Sequence, residues 1–223
     1  MNVENWKNKA VIGMILGQVL FLILVFLAMI FYAGGTRDNP TLLGYSFWGN
    51  TISDSGRIIA WSGVLNPTSM VFLSTALIVY AVFFIPFYLI LSKLFSEGKI
   101  EKYASKIGCI LGVIFSLSYI GIAFTPADQF YTPHMIFVLI GYICAFGMSL
   151  FFTIAFFKNK EFSNIYAIMF ALFTIFYFVT QIIALVGLAS DRNLMVLMQK
   201  LGTFVSIGVF FILGYGIWKF EKS

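Results

Sequence analysis

Residues 11–33 read VIGMILGQVLFLILVFLAMIFYA, an uncharged run in which Gln18 is the one strongly polar side chain. About 20 apolar residues at 1.5 Å rise cross a ~30 Å hydrocarbon core, so this stretch reads as a membrane-spanning helix. It exceeds the roughly 7–15 apolar residues of a signal peptide, and no small-x-small cleavage site follows it, so it reads as a retained span. Five more runs qualify: 67–91, 106–124, 134–157, 163–187 and 194–218. Each is apolar on all sides, unlike the ~10-residue alternating strands of a membrane β-barrel.

The whole chain agrees with that reading. Of its 223 residues 61% are hydrophobic and 10% charged, against about 25% charged in soluble domains. The expected fold is all-α: a polytopic, six-helix transmembrane bundle, one domain over residues 1–223, with a long first extracytoplasmic loop.

Charge sorts by side. Threaded as six spans, the chain puts Arg37, Arg57 and Arg192 on one face. Lys7, Lys9, Lys93, Lys99, Lys102, Lys106, Lys158, Lys160, Lys219 and Lys222 fall on the other, and only Lys200 lies inside a span. Lysine-rich short loops mark the cytoplasmic side. Both termini are therefore expected in the cytoplasm of a cell-membrane protein, with loops one, three and five facing outward. The net charge of +5 comes from these flanking lysines, and nothing in it points to nucleic acid. Cys109 and Cys144 sit at different depths and read as two small apolar residues, not a disulfide. No Cys/His cluster suggests a metal, and no cofactor is implied.

Loop one, residues 34–66, is the longest connection. With Tyr45, Phe47, Trp48 and Trp61 among its polar residues it is expected to fold back as a lid on the helix ends, since loops this long are functional or disordered. Asn66-Pro67, Thr132-Pro133 and Asn193 read as helix starts. They aim three N-termini, which favour anions, at the outward face. Gly13-x-x-x-Gly17 and Gly108-x-x-x-Gly112 allow close helix contact. Packing within the chain is the favoured use, and a homo-oligomer is the other.

The polar residues near the outward face define the candidate site. Loop one supplies Asn50, Ser53, Asp54 and Arg57; loop three supplies Asp128 and leads into His134; loop five supplies Arg192. Lys200 and Gln181 lie at matching depth in the last two spans and are expected to line one outward-open cavity. Ionisable groups inside a span are functional hypotheses by default, although a lysine this near the interface can also snorkel. His134, Asp54 and Asp128 are the candidate catalytic set, as general base and carboxylate partners. Arg57, Arg192, Lys200, Gln181, Asn50 and Ser53 are the candidate lipid head-group ligands. Each has a plainer reading: His134 as an interfacial hydrogen-bonder, and Asp54 as a turn or cap within Ser53-Asp54-Ser55-Gly56. A Ser53/His134/Asp128 triad can be written, but no Gly-x-Ser-x-Gly string marks Ser53 as a nucleophile.

The string Ile52-Ser53-Asp54-Ser55-Gly56, followed by Asn66-Pro67-Thr68-Ser69-Met70-Val71-Phe72, resembles the DRAM/Sfk-type membrane family and the prokaryotic domain-of-unknown-function family 998. Gly121 through Pro126, with Asp128 and His134, is similar to a second element of the prokaryotic family. The resemblance implies about six helices, cytoplasmic termini and a connection to membrane lipids as partners. It implies no reaction type. Three functions follow in order: a lipid head-group-binding protein, an intramembrane metal- or His/Asp-dependent lipid hydrolase or transferase, and a small transporter.

Overall fold

The computed structural model describes residues 3–222, with side chains from 6 to 220; the side chain of Lys222 lies outside that range. Six α-helices make up the fold: α1 (Val3–Ile30), α2 (Pro67–Leu94), α3 (Lys99–Ala123), α4 (Tyr131–Lys158), α5 (Asn164–Ser190) and α6 (Arg192–Lys222). All six are long and apolar enough to cross a membrane, and the apolar window of each is only 33–39% buried within the protein. The rest of that surface is tolerable only against hydrocarbon, which defines an α-helical membrane protein.

Consecutive helices pack side by side, and α6 returns to α1, closing a ring. One half of the ring interior is a plug of aromatic rings. Phe210 lies edge-on to Phe84, Phe87, Tyr88, Phe170 and Phe173, at ring separations of 5.2–6.4 Å. Toward the lysine-rich end Phe95 continues the plug against Phe156, Phe162 and Phe220. That end is latched by a buried carboxylate: Glu101 accepts from the Asn159 side chain at 2.9 Å and from Gly98 N–H at 3.3 Å.

Helix ends depart from the sequence expectation in informative ways. The first helix stops at Ile30, three residues early, and Gly34 and Gly35 then turn the chain at φ +103° and +82°. Asn66 does not cap α2 with its side chain. Its amide bridges Ala33 N–H and the Ser55 and Arg57 carbonyls instead, tying the two ends of loop one together. The fourth helix begins at Tyr131, ahead of the expected Thr132-Pro133 start, because the Pro126–Phe130 turn runs straight into it. Asp191, not Asn193, caps α6: its carboxylate accepts from Asn193 and Leu194 N–H.

The small-residue spacings serve packing within the chain. A Cβ on Gly17 would stand 2.5 Å from the Phe83 side chain, and one on Gly112 2.7 Å from the Tyr88 ring. Gly208 has nothing within 4 Å of its missing Cβ. Overpacking a tight contact costs about 1–3 kcal/mol. Gly17→Leu and Gly112→Leu are therefore expected to lower the unfolding midpoint in detergent by several degrees. Gly208→Ala should leave it unchanged or raise it slightly.

Candidate functional site

Loop one is a folded cap, built around one carboxylate. Thr51 and Asp54 form a reciprocal capping box on the 3-10 turn Ile52–Gly56: Thr51 N–H donates to Asp54 Oδ2 at 2.7 Å, and Asp54 N–H donates to Thr51 Oγ1 at 3.0 Å. Asp54 Oδ1 accepts from Trp61 Nε1 at 2.8 Å. Arg192, the first residue of α6, donates Nη2 to Asp54 Oδ2 at 2.8 Å, with 16% and 7% of the two side chains exposed. A longer approach from Asn50 Nδ2, at 3.5 Å, completes the set. Oδ2 is thus crowded by three donors, whereas Oδ1 takes only the Trp61 N–H and keeps one acceptor position. Its turn, its cap and its ion pair coexist on one carboxylate.

α6 supplies the second anchor. Arg192, Gln199 and Lys200 lie at i, i+7 and i+8, on one helix face. Gln199 Oε1 accepts from Ile52 N–H at 2.8 Å. Lys200 is buried and donates Nζ to the Phe47 and Asn50 carbonyls, with Phe47 and Tyr45 rings beside it. Burial also acts on Tyr45 of the loop, pushing its hydroxyl well above the ordinary tyrosine value.

Loop three fastens the other edge. Asp128 accepts from Ile58 and Ile59 N–H, each at 3.0 Å, and from the Gln129 side chain. Burial works to raise its carboxyl, but these donors, Ile59 and Ile58 foremost, outweigh it and hold the group below the ordinary aspartate range. His134, buried in the first turn of α4, lies 2.7 Å through Nδ1 from the Thr125 carbonyl. A carbonyl only accepts, so Nδ1 carries the proton and Nε2 is left as the acceptor.

Between this cap and α4, α5 and α6 lies a cavity of about 420 Å³. Ser53, Asp54, Arg57, Asp128, His134 and Arg192 all line it, joined by Arg37, Trp61 and Tyr131. The expected catalytic set thus shares one chamber, but no hydrogen bond joins Asp54, Asp128 and His134 among the described residues. The Ser53/His134/Asp128 relay is not assembled, because Thr125 holds the imidazole and the loop-one backbone holds Asp128. Three of the expected ligands stand elsewhere. Lys200 is bound to the underside of loop one, and Asn50 is fully buried inside it, on Gly35 and Ser46. Gln181 lines a second, deeper cavity. Lys200 and Gln181 therefore do not face one space, because equal depth on two helices leaves their rotation unspecified.

Arginine donors face the chamber. Arg57 lies 3.9 Å above the Trp61 ring and donates Nε to the Ile59 carbonyl, so its terminal nitrogens have no protein acceptor among the described residues. Arg192 Cζ is 5.5 Å from the same ring, and its Nε is buried with no partner. Of the three converging helix N-termini expected from sequence, those of α4 and α6 open here and that of α2 does not. Sequence reasoning missed Trp61 as a ligand of Asp54, Gln199 as an anchor, and Arg37 as a wall residue. Gln199 carried a signal, being a polar neighbour of Lys200 inside an apolar span. Comparison with protein-family models, curated proteins and solved structures finds no match.

Two outcomes follow. Trp61→Phe keeps a ring but removes the N–H on Asp54; a hydrogen bond to a charged group is worth about 1.5–3 kcal/mol, and unfolding should ease by that order. The depressed Asp128 carboxyl stabilises the fold fully above the ordinary aspartate value of about 3.9 and less as pH falls through its lower folded value. Thermal unfolding should therefore show an acid decline below about pH 4 that is shallower in Asp128→Asn.

Proposed function

We propose that this is a lipid-handling protein of the cell membrane, with cytoplasmic termini, that binds an anionic lipid head group in the chamber under loop one. The observation that carries this reading is the imbalance of donors and acceptors at the chamber wall. Three arginines line it against two aspartates, and both carboxylates are already occupied by other donors. The buried Arg192 Nε without an acceptor and the free end of Arg57 make a phosphate the best-matched guest, since guanidinium forks suit phosphate oxygens.

A volume near 420 Å³ lies within the usual range of about 300–1,000 Å³ for small-ligand sites. The lower wall is apolar. Leu139, Leu185 and Leu188 line it while being 38–46% exposed, an apolar edge beside which acyl tails would stay in the bilayer. The lysine-rich end faces the cytoplasm by the positive-inside rule, so the chamber faces the outer leaflet.

A second reading, a hydrolase or transferase, is favoured by one observation: Thr125 fixes the His134 ring so that Nε2 is available as a base toward the chamber. Lipid turnover that disappears in His134→Ala would support it; equal product from both proteins would end it.

The binding reading is tested in nanodiscs by titrating a phosphatidylglycerol against a phosphatidylcholine, with inorganic phosphate as the soluble control. Losing Arg57 removes charge-assisted contacts worth about 1.5–3 kcal/mol, about ten-fold or more in Kd. Wild type should prefer the anionic lipid, and Arg57→Gln should lose most of that preference. Equal binding of both lipids, untouched by Arg57→Gln, would overturn the proposal.

A further inference from the structure

A second cavity lies deeper, near the centre of the helix ring, with a volume of about 100 Å³. It shares Ser53, Val138, Tyr142 and Gln199 with the chamber above, so those four side chains border both spaces. Its floor is the aromatic plug: Phe173 and Phe210 line it, and the rings packed beneath them are fully buried. It reaches Ser206, fourteen residues along α6 from Arg192, or about 21 Å at 1.5 Å per residue.

Most of the wall is apolar, but two buried amides break it. Gln18 on α1 is fully buried and Gln181 on α5 is 7% exposed, and both line the cavity. The side-chain oxygen of each has no hydrogen-bond partner. Gln18 Nε2 donates to the Met14 sulfur at 2.9 Å, so turning that amide over would orphan its NH2 in turn, and the Gln181 amide has no hydrogen bond at either end among the described residues; both ask for a polar guest. Buried polar groups are almost always satisfied, by protein or by ordered water.

We infer that this cavity is a water site: a blind, hydrated well that enters the bundle from the loop-one face and ends on the aromatic plug at Phe210. At ~30 Å³ per molecule in the liquid, it has room for about three waters. Water supplies donors to both amide oxygens and fits an irregular space of this size. An acyl tail fits the apolar wall but would leave both oxygens unpaired. Access runs past the Ser53–Gln199 border, since the opposite side is closed by packed rings. The polar path therefore stops partway across the bundle and forms no continuous pore. This inference is independent of the lipid reading and survives if no lipid binds.

The chain has only four glutamines, Gln18, Gln129, Gln181 and Gln199, so side-chain 15N-glutamine labelling gives a tractable spectrum. The experiment measures water-to-side-chain magnetisation transfer on the intact protein in nanodiscs, with Gln18→Leu and Gln181→Leu used to assign the signals. Gln18 and Gln181 should show transfer within about three-fold of exposed Gln129. Silence at both, while Gln129 responds, overturns the water site. Ser53→Phe, crowding that border, should slow transfer at Gln18 and Gln181 at least several-fold with Gln129 unchanged, and Ser53→Ala should not. Unchanged transfer in a folded Ser53→Phe protein overturns the proposed route while the wild-type spectrum still decides the occupancy.

Discussion

The Asp54 carboxylate is the constraint around which the polar end of this protein is organised. A buried carboxylate is costly unless it is paired and hydrogen-bonded. Here its donors come from four places in sequence: the backbone of its own turn, the Trp61 indole, the Asn50 amide and the first residue of α6. Satisfying one charge therefore fixes the fold of loop one, its seat on α6 and the position of Arg192. The neighbouring contacts, Gln199 to Ile52 N–H, Lys200 to two loop carbonyls and Asp128 to two loop amides, depend on that seat. The result is a rigid roof in place of an extended loop, and the chamber exists because the roof is held off the α4–α5 side.

The two ends of the bundle use different physics. Toward the lysine-rich end the interior is ring against ring, with a buried polar latch between Glu101 and Asn159. Toward loop one the interior opens, and polar side chains that would be expensive in hydrocarbon find partners in loop backbone. Lys200 makes the point. Its charge sits eight residues, about 12 Å, along α6, and it is tolerated because loop carbonyls descend to meet it. A charge that looks like a ligand site from its depth alone is instead a tether for the roof.

Six spans, their order and the crowding of polar groups at one rim were legible because hydropathy and lysine placement report directly on the bilayer. Helix ends were less so. An apolar run marks the hydrocarbon, whereas a helix ends where its backbone hydrogen bonding is interrupted, so α1 stops at Ile30 inside its run while α4 and α6 run on to Lys158 and Lys222. In the site, Asp54, Arg57, Asp128, His134 and Arg192 could be gathered by side of the membrane. What each one touches could not, because rotation about a helix axis and the path of a 33-residue loop are set by pairings distant in sequence. Gln181 and Lys200 show this: equal depth, different faces, different partners.

The most direct measurement of the central claim is a double-mutant cycle between Asp54 and Arg192, read by hydrogen exchange of the loop-one amides. Asp54→Asn and Arg192→Gln each remove one partner of the pair with little change in shape. If the carboxylate seats the roof through Arg192, the two substitutions together should cost clearly less than the sum of the single effects, with a coupling of about 1 kcal/mol or more. It should appear in the exchange of Thr51 through Trp61. Additive effects, or loop-one amides already exchanging freely in the wild type, would contradict the account.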